Sequence, residues 1–116
     1  MVRNNTMKTA LANAYKATGP YGALFTADPG TSGSATGEVS GGSYARQALN
    51  WGTAANGVVT SAATVFNVPS GVTITYFGVT TAGTATTADV QDSVAVTSQT
   101  FSSAGTYTVT ATYTQG

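Results

Sequence analysis

The sequence predicts an all-β fold: a compact antiparallel β-sandwich, jelly-roll-like, carrying one short N-terminal α-helix. Three patterns lead there. Thr106 to Thr114 alternates strictly, with Tyr107, Val109, Ala111 and Tyr113 against a ladder of threonines, the period of a half-buried strand. Counting from Tyr21, six or more candidate strands are separated by Gly, Pro and Asn turns every 8–12 residues, the spacing of sandwiches and barrels. Only the first residues break this rhythm, with apolar side chains at helical spacing. A chain of 116 residues is one domain with a modest core and a radius of gyration of about 13 Å. Residues 1–19 form the helix arm and residues 20–116 the sandwich.

Taken in order, Asn4 to Ala17 reads as the helix. Met7, Ala10, Leu11, Ala14 and Tyr15 make one apolar stripe. Asn5 or Thr6 caps its start, Lys16 suits its negative end, and Gly19-Pro20 stops it. A helix this short is marginal alone in water, so it packs either on this chain's own sheet or on a neighbouring subunit. Tyr21 to Thr26 is a strand with apolar residues on both faces, hence buried. Asp28-Pro29-Gly30 turns the chain, and residues 30–37 form a loop, read as a flexible connector or a contact site.

Glu38 to Trp51, EVSGGSYARQALNW, is the most distinctive stretch. Gly41-Gly42 permits a sharp turn. Arg46 to Trp51 then reads as a strand that sends Leu49 and Trp51 inward. Glu38 and Arg46 flank the turn with opposite charge and are expected to pair across it. The alternative is two solvated loop charges, worth under about 1 kcal/mol together. Asn56-Gly57 is a hairpin tip followed by a short strand at Val58-Val59. Ala63 to Val68 and Val72 to Val79 are further strands, the latter placing Val72, Ile74 and Tyr76 on one face. Residues 80–89 read as a Thr/Ala/Gly-rich excursion, and Val90 to Gln99 as the next strand. The expected core is Leu11, Tyr15, Phe25, Leu49, Trp51, Phe66, Val68, Ile74, Tyr76, Val94, Val96, Tyr107, Val109 and Tyr113.

The N-terminal helix, then Ala23-Leu24-Phe25-Thr26-Ala27-Asp28-Pro29-Gly30, then Glu38-Val39-Ser40-Gly41-Gly42-Ser43-Tyr44-Ala45-Arg46-Gln47, then Thr-rich strands, resembles a family of small virion proteins from tailed bacteriophages of actinobacteria. Members are labelled tail-fibre-like or minor structural proteins. The resemblance covers most of the chain and implies a structural role in a virion.

Composition points the same way by exclusion. The chain has no histidine and no cysteine, so the usual general base, the strongest nucleophile and both preferred zinc ligands are missing. No serine has the surroundings of a triad or nucleophile elbow. Catalysis is not expected, nor is any cofactor. Asp89 and Asp92 lie three apart, too few oxygens for a calcium site, and no metal is expected. Four basic residues are too few for a nucleic-acid face. No apolar run reaches the roughly 20 residues that span a bilayer. The formal net charge is zero and only 7% of residues are charged, a surface with little self-repulsion.

The expected function is therefore a virion structural protein made in the host cytoplasm. The preferred role is a capsid decoration or minor capsid protein binding the major capsid protein and copies of itself, with a trimer expected by analogy with local threefold sites on icosahedral shells. The alternative is a minor tail or tail-fibre protein that attaches to the host surface. Met7, Leu11, Tyr15, Glu38, Tyr44 and Arg46 are the expected contact residues, on the helix and the loop that ends at residue 46.

Overall fold

The computed structural model describes residues 4–33, 37–83 and 90–114. Helix α1 runs over Asn5–Thr18. Its cap is Asn4, whose side-chain oxygen accepts from the Met7 N–H at 2.9 Å, one residue earlier than the sequence indicated. Gly19 closes the far end by donating to the Tyr15 carbonyl. The helix packs on this chain's own strands, through an apolar face rotated from the expected stripe. Ala12 is fully buried against Ala54 and Val59, whereas Met7 is 53% exposed and Ala10 and Ala14 face outward. A small residue at the contact line lets the helix approach the sheet closely, and that proximity outweighs the larger side chains one position away.

The first layer is an antiparallel sheet in the order β2-β1-β5-β6, built from β1 (Tyr21–Phe25), β2 (Gln47–Ala48), β5 (Val72–Thr80) and β6 (Val90–Phe101). As expected of a strand apolar on both faces, β1 is central. Leu24 enters the main core, while Ala23 and Phe25 pack with Tyr76 and Val90 on the opposite face.

The second layer is a bent two-stranded ribbon. β3 (Val58–Thr60) pairs with β8 (Thr112–Thr114), and β4 (Thr64–Val68) with β7 (Gly105–Val109). The Asn56-Gly57 tip forms as the sequence predicted: both residues have positive φ, and Ala55 and Val58 exchange backbone hydrogen bonds across it. The expected single strand Thr106–Thr114 is broken at Thr110-Ala111. Here Ser61 N–H donates to the Ala111 carbonyl, and the Ser61 hydroxyl accepts from the Ala111 N–H at 3.0 Å. The serine side chain enters the ladder, so the ribbon bends over the sheet.

Arg46 to Trp51 is likewise not one strand. Gln47-Ala48 pairs with β1, while Trp51 bridges Ser61 and Gly52 donates to the Thr60 carbonyl. The segment crosses from one layer to the other, the corner device of sandwiches. Leu49 sits at the crossing and is buried; Trp51 is half-buried.

The main core is Leu24, Val39, Leu49, Phe66, Val68, Ile74, Phe77, Val79 and Phe101. Several residues expected inside it are only partly covered, Tyr15, Val96, Tyr107 and Val109 packing against its rim. Leu11, Tyr15, Val96, Tyr107, Val109 and Tyr113 are half-buried, and Val94 is 56% exposed. Tyr76 faces the smaller cluster because the ladder to β6 slips between Ile74 and Tyr76. The pairing shifts by two residues there, from Ile74 opposite Gln99 to Tyr76 opposite Ala95, and the alternation of β5 breaks with it, so Phe77 and Val79 join Ile74 inside in place of Tyr76. The slip leaves the Thr75 hydroxyl buried without a hydrogen-bond partner.

Gly22 sits where the two layers meet, and a Cβ there would lie 2.9 Å from the Phe77 ring, 3.0 Å from Leu49 and 3.2 Å from Phe66. Gly22→Ala should therefore destabilise the fold by about 1–3 kcal/mol, the usual cost of overpacking. Urea denaturation checks this; an unchanged midpoint would contradict the packing described.

Candidate functional site

Among the described residues, two constellations bring polar and aromatic side chains together. The first is built on the loop from Glu38 to Arg46. Arg46 grips Glu38 with two parallel bonds, Nε to Oε2 at 2.9 Å and Nη2 to Oε1 at 2.8 Å, and its Nη1 donates to the Ala82 carbonyl at 2.9 Å. Tyr44 donates from its hydroxyl to Glu38 Oε2 at 2.8 Å, and accepts from the Leu24 N–H at 3.1 Å. The expected pair thus forms, and as a buried bidentate bridge: the side chains are 2% and 11% exposed for Arg46 and Glu38. Burial, with the Glu38 carboxylate beside it, raises the Tyr44 phenol above its ordinary pKa, against the opposing effects of Leu24 N–H and Arg46. These three residues fasten the loop to β1 and to the chain beyond β5, with their polar atoms directed into the protein.

The second constellation is an open groove. β6 and β7 are joined by a three-residue turn, Ser102–Ala104, yet belong to different layers and diverge from it. Phe101 and Tyr107 meet edge to face at the narrow end, 6.5 Å between centroids. From there the layers open into a groove of about 400 Å³ floored by Phe77, Val79, Val94, Val96, Val109 and Ala111.

Tyr15 of α1 spans the wide end. Its ring stacks on Tyr113 at 3.9 Å and meets Trp51 edge-on at 5.9 Å, while its hydroxyl donates to Asp92 Oδ2 of β6 at 2.7 Å. Burial first, then the Asp92 carboxylate, raises the Tyr15 phenol well above its ordinary pKa. Trp51 is held in turn by its indole N–H on the Gly19 carbonyl at 2.8 Å. The helix therefore acts as a strut between the open edges of the two layers.

The sequence-selected contact residues fall into three environments. Tyr15 and, through an adjoining hollow beside Val79 and Gln91, Leu11 border the groove. Met7 projects from α1 into solvent. Glu38, Tyr44 and Arg46 form the loop fastening. Asp92 also borders the groove, and Asp89 lies outside the described residues. Sequence reasoning did not single out Val94 and Val96 as groove residues, because their alternation reads as core. Among the described residues no group of three or more metal-ligating side chains occurs, and no helix is long and apolar enough to cross a membrane.

The groove is apolar along its floor, with Ser93, Thr110, Thr112 and Thr114 also among the residues that line it. Such a surface binds by shape and apolar burial. A family model described as Podophage GP4 fiber I protein gp80 matches residues 2–115. No curated protein and no solved structure matches the chain.

The loop fastening generates one prediction. Arg46→Ala strands a buried carboxylate and should cost about 3–5 kcal/mol, whereas the double variant Arg46→Met/Glu38→Leu should recover much of that loss. Denaturant melts of the single and double variants check it. Equal losses would mean that the bridge is not a buried charge pair.

Proposed function

We propose that this chain, which belongs to the podophage GP4 fiber I protein gp80 family, is a fibre component of the virion that takes part in attachment to the host surface. Membership makes it a bacteriophage structural protein. The observation that carries the finer reading is the extent of the match: residues 2–115 take in the helix, both layers and the groove, so the family description applies to the sandwich itself and not to a short motif within it. It also favours the fibre over the capsid-shell role that composition alone put first. The actinobacterial host implied by the sequence resemblance belongs to this proposal as well.

In this reading the chain works by binding and not by catalysis, since it lacks histidine and cysteine altogether. Attachment needs a rigid module presenting an uncharged surface. The buried bridge of Arg46 and Glu38 and the Tyr15 strut supply the rigidity, and the threonine-rich faces supply polarity without ions.

Antibody labelling of intact virions tests the assignment together with an adsorption assay. The fibre reading expects label at the tail in a few to tens of copies, and slower phage adsorption when purified protein is added to host cells first. Label spread over the shell in hundreds of copies, with adsorption unaffected, would contradict it and restore the shell-binding role.

A further inference from the structure

β6 is the feature that the single chain leaves least explained. It is the longest strand, twelve residues, yet only its terminal residues Val90 and Phe101 are buried, and among the described residues it pairs with β5 alone. Proteins commonly guard such an edge with lysine, proline, bulges or inward-pointing charge. β6 has no lysine and no proline. Its guards are the ladder irregularities at either side of Asp92–Ala95, the inward-turned Asp92, which accepts from the Tyr15 hydroxyl and from its neighbour Ser93 N–H, and the Val90 N–H bond to the Gly33 carbonyl, which together leave the Val94 side chain uncovered. Two irregularities in the ladder to β5 bracket a regular stretch, Asp92 to Ala95, opposite Val79 to Tyr76. Val94, 56% exposed, stands in the middle of this stretch on the groove side.

We propose that the β6 edge and the groove beside it form an interface between two copies of this chain, with the two β6 strands pairing antiparallel about Val94. Facing residues in an antiparallel pair share a face of the sheet. Centring on Val94 therefore sets Val94 against its own copy, Asp92 against the other copy's Val96, and Ser93 against the other copy's Ala95. No facing pair sets like charges together. The two Asp92 carboxylates end about 13 Å apart, four residues along the strand and beyond the screening length of physiological salt. A net charge of zero adds no long-range repulsion.

Centred on Val94, residues 90–98 of the two strands overlap over about 30 Å, and packed layers stand about 10 Å apart, so the groove side of β6 offers about 300 Å² per copy. The strand edge and the rim of the ribbon bring this toward the about 800 Å² per partner of a stable interface. The join makes one continuous eight-stranded sheet from two four-stranded ones, and the ribbons of both copies cover the shared row of Val94 and Val96. This inference goes beyond the fibre reading and is tested on purified protein, so its failure leaves that reading standing.

The chain has no cysteine, which permits a clean crosslinking experiment. Facing Cα atoms in an antiparallel pair lie about 4.5–5.5 Å apart, within disulfide range. Val94→Cys should give a covalent dimer under mild oxidation, at least tenfold faster than Val65→Cys, a similarly exposed position on β4. In sedimentation equilibrium the unmodified chain should associate, and Val94→Lys should be monomeric, with the melting temperature that the unmodified chain shows when diluted to monomer, since the site is exposed in the single chain. Equal crosslinking at the two positions, a monomeric unmodified chain, or association that survives Val94→Lys would each overturn the proposal.

Discussion

A two-stranded ribbon cannot cover a four-stranded sheet, and the rest of this structure follows from that mismatch. The ribbon lies over β1 and β5, where Leu24, Phe77, Phe66 and Ile74 close the core. Beyond β5 the layers part, and midway along β6 the inward side of the strand is left open, with Val94 56% exposed. Hydrophobic burial scales with apolar area removed from water, so a valine at 56% exposure retains only part of its stabilisation. What keeps the open side from collapsing is Tyr15, which braces β6 through Asp92 and β8 through Tyr113. Its helix is in turn anchored by Ala12 against Val59 and by Lys16, whose ammonium donates to the Gly52 carbonyl. The arm is thus part of the domain, holding its two layers at a fixed opening.

With so few charges in the chain, their placement is informative. Arg46 and Glu38 are spent on one buried bridge that ties the loop to the sheet, a use that leaves the surface to threonine, serine and alanine. Hydroxyls across adjacent strands meet one another, as Thr73 and Thr100 do at 3.0 Å and Thr60 and Thr112 at 3.2 Å. Such faces satisfy their polar groups locally and can lie against another protein without desolvating an ion. For the fibre role proposed above, that is a coherent chemistry.

How much of this the sequence disclosed depended on whether local pattern or long-range pairing decided the outcome. The helix, the Asn56-Gly57 tip, the buried β1 and the pairing of Glu38 with Arg46 were legible because each follows from neighbouring residues or from scarcity of alternatives. Three features were not. The slip at Thr75 exchanges Tyr76 for Phe77 in the core, and nothing within VTITYFGV marks it. The break at Thr110-Ala111 depends on Ser61, about fifty residues away in the chain. Val94 alternates as a core residue does, and only the extent of the opposite layer shows that its place in the core is empty. The candidate site divides the same way: Tyr15 was visible from its helical stripe, while the groove it borders emerges only when two layers of unequal width are set face to face.

Amide hydrogen exchange across a concentration series tests the central claim most directly, because protection reports local covering of the backbone. If β6 is an edge that waits for a second copy, those amides of Asp92 to Val96 that point away from β5 exchange quickly in dilute protein and gain protection as concentration rises, while amides bonded within the β1 and β5 ladders stay protected throughout. Strong protection of the outward β6 amides in dilute protein, or protection there that never changes with concentration, would contradict the account of an open, half-covered sandwich.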